Sequence, residues 1–261
     1  MATVSSHVPG VPSWIDLATP DVDAAKAFYG ELFGWSFDDR ATDTDGVHYT
    51  MCNKGDKAAA GIMALSEQMA AAGMPPAWST YVTVTDVEAS LAKVEAAGGT
   101  VLQPAMEVME DGRMAVVADP SGAVIAMWQP KAHIGAEVVN EHGALTWNEL
   151  TTPDPAAVAG FYNAVFGWTT ETAPMPEGEY TLFLVDGGNE QGIAGAMAPP
   201  MEMPNFWGIY IHSDDAAATA ARAKERGAGV LMEATAMEGV GTLATLTDPQ
   251  GAMFSVMTPE S

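Results

Sequence analysis

Apolar and polar residues alternate over positions 13–18, and the run stops at Thr19-Pro20-Asp21. Alternation of period two marks a half-buried strand. The stop predicts a helix start, with Thr19 as N-cap and Pro20 at N1, where a missing N–H costs little. Val22, Ala25, Phe28, Tyr29 and Leu32 then recur at helical spacing, and Gly34 ends the helix. Strand-like segments follow around 48–52 and 59–65, joined by a Gly-Asp turn. The same grammar then returns. Tyr81-Val82-Thr83-Val84 is β-rich, and Thr85 with Glu88 forms a capping box. Val87, Leu91 and Val94 face one way, and Gly98 ends that helix. Residues 100–103 and 114–118 read as strands, and Asp119-Pro120-Ser121-Gly122 as a tight turn before a last strand over 123–128. The unit is strand–helix–three strands, twice over.

The whole pattern recurs. Trp14-Ile15-Asp16-Leu17 returns as Trp147-Asn148-Glu149-Leu150, Phe28-Tyr29 as Phe161-Tyr162, and Phe33-Gly34-Trp35 as Phe166-Gly167-Trp168, all 133 residues on. Trp78, Tyr81 and the Asp119 turn match Trp207, Tyr210 and Asp248-Pro249-Gln250-Gly251, now 129 residues on. Ordered matches at two constant separations are the record of a duplication, with a small deletion in the second copy. The period is that of a domain, not of a solenoid repeat. Residues 1–130 form the first copy, 131–142 a candidate linker and 143–261 the second copy. An α+β protein of two similar domains follows, with helices packed on mixed or antiparallel sheets.

Charge and cysteine content narrow the function classes. The 261 residues carry 34 acidic and 10 basic side chains, a formal net charge of -24, spread along the chain rather than gathered in a tail. That balance argues against nucleic-acid and membrane-surface partners. Cys52 is the one cysteine, so no intrachain disulfide forms. No apolar stretch reaches the roughly 20 residues of a membrane helix, and the first six residues lack a signal-peptide pattern. A cytoplasmic protein is the expectation.

The strand entering Thr19-Pro20-Asp21, Phe28-Tyr29 with Leu32-Phe33-Gly34-Trp35, and the Asp-Pro-x-Gly turn all occur in both copies. In that order and spacing they resemble the glyoxalase/bleomycin-resistance/dioxygenase, or vicinal oxygen chelate, superfamily. The tandem arrangement with Trp147-Asn148-Glu149-Leu150 is similar to two-domain actinobacterial members, among them mycobacterial culture-filtrate antigens and proteins labelled hydroxylases. The resemblance implies two tandem vicinal-oxygen-chelate domains, each of two βαβββ units forming a cup-shaped sheet. The family's metal enzymes place His, Gln or Glu ligands inside the cup on the first, fourth, fifth and eighth strands. Carried over, the first-strand position falls on Trp14 and Trp147, the fifth near Ser79 and Gly208, and the last on Ala126 and Ser255. The fourth-strand stretches, 60–63 and 194–197, offer only Ala, Gly, Ile and Met. None supplies the imidazole or carboxylate donors that a divalent metal of this class takes. Neither metal nor other cofactor is therefore expected.

Side chains two apart on a strand share a face, so Trp14 lies with Asp16 and Trp147 with Glu149. If the tryptophans face into the cups, each cup presents an indole beside a carboxylate. Trp78, Trp207 and, in the first copy only, Trp128 are candidate further aromatic walls, and Arg113 a candidate for an anionic ligand group. Packing is the competing role for the tryptophans, and surface pairing for Arg113. Asp16 and Glu149 are the candidate catalytic carboxylates, able to act as bases if burial raises their pKa, or else bonded to backbone N–H groups or to the partner domain. His7, His48, His133, His142 and His212 make no metal-binding spacing and read as structural. The expected function is metal-independent binding of a small apolar or aromatic metabolite or antibiotic in Trp-lined cups, of sequestration or self-resistance type. The alternative is a glyoxalase-like lyase, dioxygenase or hydroxylase on the same scaffold, and a third reading is a scaffold in which one or both cups are closed by side chains. The two domains are expected to pack as a pseudo-dimer.

Overall fold

The structure is a computed structural model that describes residues 3–42, 48–71, 73–175, 178–199 and 201–260. The first half runs β1 (Pro12–Thr19), α1 (Val22–Phe33), β2 (Ser36–Ala41), β3 (His48–Lys54), β4 (Lys57–Ala64), α2 (Glu67–Ala71), β5 (Ala77–Thr83), α3 (Val87–Ala96), β6 (Thr100–Val108), β7 (Gly112–Ala118) and β8 (Val124–Pro130). The second half repeats it as β9 (Leu145–Thr151), α4 (Pro155–Phe166), β10 (Thr169–Met175), β11 (Gly178–Leu184), β12 (Ala194–Met197), β13 (Phe206–His212), α5 (Ala216–Glu225), β14 (Gly229–Met237), β15 (Gly241–Thr247) and β16 (Met253–Pro259). Each half is one eight-stranded mixed sheet, ordered β2-β3-β4-β1-β5-β8-β7-β6 and β10-β11-β12-β9-β13-β16-β15-β14. Two βαβββ units lie side by side in each, joined where β1 runs antiparallel to β5 and β9 to β13. This is the α+β class and tandem architecture that the repeat implied. Among the described residues, no helix is long and apolar enough to cross a membrane.

Helix starts fall two residues and one residue later than the sequence reading placed them. Asp21, not Thr19, caps α1: its backbone is extended and its carboxylate accepts the Ala24 N–H at 3.0 Å. Asp86, not Thr85, caps α3 in the same way through the Ala89 N–H at 3.0 Å. A carboxylate one residue out from the helix reaches the N3 donor, and that geometry outranks the Thr-x-x-Glu pattern. Thr19 instead ends β1 buried, donating to Gln250 Oε1 at 2.6 Å in the other half. The solvated edge strand β2 and the one-turn helix α2 had no individual counterpart in the reading. β2 buries no residue, so it carries no apolar alternation to read.

The two sheets pack back to back, through the faces opposite their cups. Ile15 and Leu17 of β1 share one apolar core with Ile209 and Ile211 of β13, and with Phe28, Tyr29 and Phe33 of α1. Val82, Val117, Ile125 and Met127 of the first half share a second core with Phe161, Tyr162 and Trp168 of the second. A reciprocal polar lock fixes the register of the halves. The Tyr29 hydroxyl donates to Asp248 Oδ2 at 3.1 Å, and the Tyr162 hydroxyl to Asp119 Oδ2 at 2.7 Å. The other carboxylate oxygen of each aspartate accepts the backbone N–H groups of its own Asp-Pro-x-Gly turn. Buried phenols and carboxylates need such partners. The Phe-Tyr and Asp-Pro-x-Gly motifs, the most recognisable of the repeat, are thus an interdomain joint and not part of a site.

Candidate functional site: two aromatic cups

Trp14 and Asp16 lie together on the concave face of the first sheet. The Trp14 indole N–H donates to the Tyr49 hydroxyl at 2.8 Å. Tyr49 and Tyr81 both donate to Asp16 Oδ2, at 3.2 and 2.9 Å. Gly61 sits opposite Asp16 on β4 because a Cβ there would overlap the Tyr49 hydroxyl. Burial pushes the Asp16 carboxyl up to about 6 against the lowering effect of the hydroxyl bonds from Tyr81, Tyr49 and Ser79.

The second cup repeats the indole, the two tyrosines and the glycine, with Glu149 for Asp16 and Gly208 for Ser79. Trp147 donates to the Tyr180 hydroxyl at 2.8 Å, and Tyr180 donates to Glu149 Oε2 at 2.8 Å. Tyr210 donates to Glu149 Oε1 at 2.8 Å. Gly195 faces Glu149 and leaves room for the Tyr180 hydroxyl, as Gly61 does for Tyr49. Burial raises the Glu149 pKa, and the two phenol donors oppose that rise. Ser255, hydrogen-bonded to Thr245 at 2.9 Å, stands where the first cup has the apolar pair Ala126 and Val116.

Residues 131–142, read as a linker, separate the two cups in character. They run as a strap across the mouth of the first. The Lys131 and His133 N–H groups donate to Asp111 O, Ala136 N–H to Ser13 O at 2.7 Å, and Glu137 N–H to Ala58 O at 2.8 Å. Gly135, at φ 101°, passes so close to the Ser13 carbonyl that no Cβ would fit. The His133 ring lies edge-on to Trp14, with centroids 4.5 Å apart. The Trp128 indole N–H donates to His133 O at 2.8 Å. Beneath the strap Trp14 and Asp16 are each 3% exposed and Trp128 5%. In the second cup Trp147, Glu149, Tyr180 and Tyr210 all keep part of their surface, and no hydrogen-bonded strap of this kind crosses it among the described residues.

Three sequence expectations place residues on the wrong face. Trp78 and Trp207 do not line the cups. They point into the interdomain cores, donating to Tyr29 and Tyr162 hydroxyls at 3.1 and 2.9 Å. One step along a strand reverses the face, and it is Ser79 and Gly208 that pair with Asp16 and Glu149. Arg113 also lies away from the cup, ion-paired with Glu88 and Glu107, each at 2.9 Å. Trp128 does line the first cup, but the strap occupies its N–H. The four tyrosines that hold the carboxylates were missed. Their signal was the facing glycine: Tyr49 with Gly61 and Tyr180 with Gly195 recur together.

The donor set does not fit a metal of the kind the superfamily holds. The first-strand positions carry indoles already bonded to tyrosines, and the fourth-strand positions facing the carboxylates are glycines filled by hydroxyls. Each cup offers one carboxylate where at least three donors are needed. Among the described residues, no three His, Cys, Asp or Glu side chains are grouped to hold an ion.

Comparison with known proteins agrees with the fold. Residues 12–127 match the Glyoxalase/Bleomycin resistance protein/Dioxygenase superfamily, and residues 145–257 match a Glyoxalase-like domain. The chain is 44% identical to "Putative glyoxylase CFP32" of Mycobacterium tuberculosis, over 98% of this chain and 97% of that one. It is 35% identical to "Anthracycline biosynthesis protein DnrV" of Streptomyces peucetius, over 97% of this chain and 95% of that one. Among solved structures, the 2,3-dioxygenase LapB from Pseudomonas sp. KL28 shares the fold at a TM-score of 0.64 with 18% identity, covering 98% of this chain and 94% of its own. The Mn(II)-bound glyoxalase from Novosphingobium aromaticivorans does so at 0.66 with 15% identity, covering 96% and 82%. With both halves matched and relatives aligned over nearly its full length, the chain belongs to the glyoxalase/bleomycin resistance/dioxygenase superfamily.

Proposed function

We propose that the second cup binds a flat apolar or aromatic small molecule without a metal, and that the first cup has become part of the core. The observation that carries this reading is the partial exposure of Trp147, Glu149 and Tyr210, while their counterparts Trp14, Asp16 and Tyr81 are buried. An open indole face with a few convergent polar groups is the usual make-up of a small-molecule site. The relative named for anthracycline biosynthesis supports the ligand class, since anthracyclines are planar fused-ring compounds. A net charge of -24 further disfavours nucleic acid as the partner.

Chelator-treated protein titrated calorimetrically with 2-naphthylmethanol tests the proposal. Saturable binding, lost in Trp147→Ala, is expected; no binding heat in the wild type from this alcohol or from its ammonium and carboxylate analogues contradicts it.

A second reading is enzymatic, a lyase or oxidoreductase in which Glu149 moves a proton. The raised pKa of Glu149 favours it, as do the relatives named as glyoxylases. On that reading Glu149→Gln abolishes turnover of a substrate that the protein still binds; unchanged turnover would sink it.

A further inference from the structure

We propose that the ligand of the second cup carries a protonated nitrogen on its planar framework, an organic ammonium that pairs with Glu149; this rests on the binding reading above. The first cup shows what its indole face accepts when filled. Its resident is a ring, the His133 imidazole, edge-on to Trp14 at 4.5 Å and 5.7 Å from Trp128. That ring is neutral at physiological pH, its pKa held down to about 4 mainly by burial. The carboxylate beneath receives three hydroxyl bonds, from Tyr81, Tyr49 and Ser79.

The second cup differs at each of these points. No ring lies on Trp147 among the described residues, and Met257 occupies the place of Trp128 in the repeat. Glu149 receives one phenol donor on each oxygen, so both oxygens keep a free lone pair. Burial raises its pKa and the Tyr180 and Tyr210 hydroxyls lower it, and no Lys, Arg or His among the described residues contributes. An indole and two phenol rings around a carboxylate without a counter-ion form a cage suited to an ammonium group. A neutral ligand would leave that charge uncompensated, and an anionic one would be repelled. The net charge of -24 adds a long-range pull on cations.

Calorimetric titration with three matched probes tests this: 2-naphthylmethylammonium, 2-naphthylmethanol and 2-naphthoate. At neutral pH the ammonium should bind about tenfold or more tightly than the alcohol, and the naphthoate weakest of the three. In Glu149→Gln the ammonium-to-alcohol ratio should fall to about one. If the alcohol binds wild-type protein as tightly as the ammonium, the cationic ligand is ruled out and the binding reading stands. If Glu149→Gln keeps the ratio, the assignment to Glu149 is overturned. If no probe of any charge binds, the binding reading itself fails. The wild-type ratio decides the matter even if the variant does not fold.

Discussion

In the first cup Trp14, Asp16 and Tyr81 lie buried beneath His133 and the strap; in the second, Trp147, Glu149 and Tyr210 keep part of their surface. The starting material is the same: an indole donating to a tyrosine, two tyrosines holding a carboxylate, and a glycine making room. What separates them is a segment of about ten residues that has only one cup to cross. Duplication gave two potential sites and one connection. The indole and carboxylate of the first cup are packed into the core beneath that connection, and those of the second keep part of their surface.

The largest effect is expected at the tryptophans. Trp14→Ala should cost about 3–5 kcal/mol in urea denaturation, because it empties a packed and strapped cavity. Trp147→Ala should cost less than half of that while removing ligand binding. Equal losses would mean that the second cup is as filled as the first.

Titration comes next. The Asp16 pKa is raised from 3.8 to about 6, so its contribution is fully present below 3.8 and is lost as pH rises through about 6. The stability of wild type relative to Asp16→Asn should therefore fall by about 3 kcal/mol between pH ~4 and pH ~7. His133 works the other way. Its pKa is lowered from 6.5 to about 4, so its contribution is intact above 6.5 and is lost as pH falls through about 4. The wild-type strap should loosen on acidification, seen as a change in tryptophan fluorescence, and His133→Phe should abolish that response. A response unchanged in His133→Phe would show that the ring is not the plug.

The facing glycines give a smaller effect, equal in the two cups. Gly61→Ala and Gly195→Ala should each cost about 1–3 kcal/mol by thermal or urea unfolding, since the added methyl overlaps the Tyr49 or Tyr180 hydroxyl. The least effect is expected from Arg113→Ala, at most about 1 kcal/mol, with no change in probe affinity, because its partners Glu88 and Glu107 lie outside the cup.

Much of this was legible in the chain. The repeat gave two copies of one sheet, and the period of two placed Trp14 with Asp16 and Trp147 with Glu149 on one face. Trp78 and Trp207 went astray because strand parity was counted across an uncertain boundary, and one residue reverses a face. The strap was illegible for a different reason. Nothing in residues 131–142 marks them as more than a linker, since their partners Ser13, Ala58 and Asp111 lie far away in sequence. The Phe-Tyr and Asp-Pro-x-Gly motifs are family marks in the sequence, but their joint role in the lock depends on the contact between Tyr29 and Asp248, 219 positions apart.

On the proposed function one cup binds, without metal, and the other does not. The stoichiometry of 2-naphthylmethylammonium binding to chelator-treated protein, by equilibrium dialysis, tests this. One probe per chain is expected, retained in chelator and absent in Trp147→Ala. Two probes per chain, or binding that returns only when a divalent metal is restored, would contradict it.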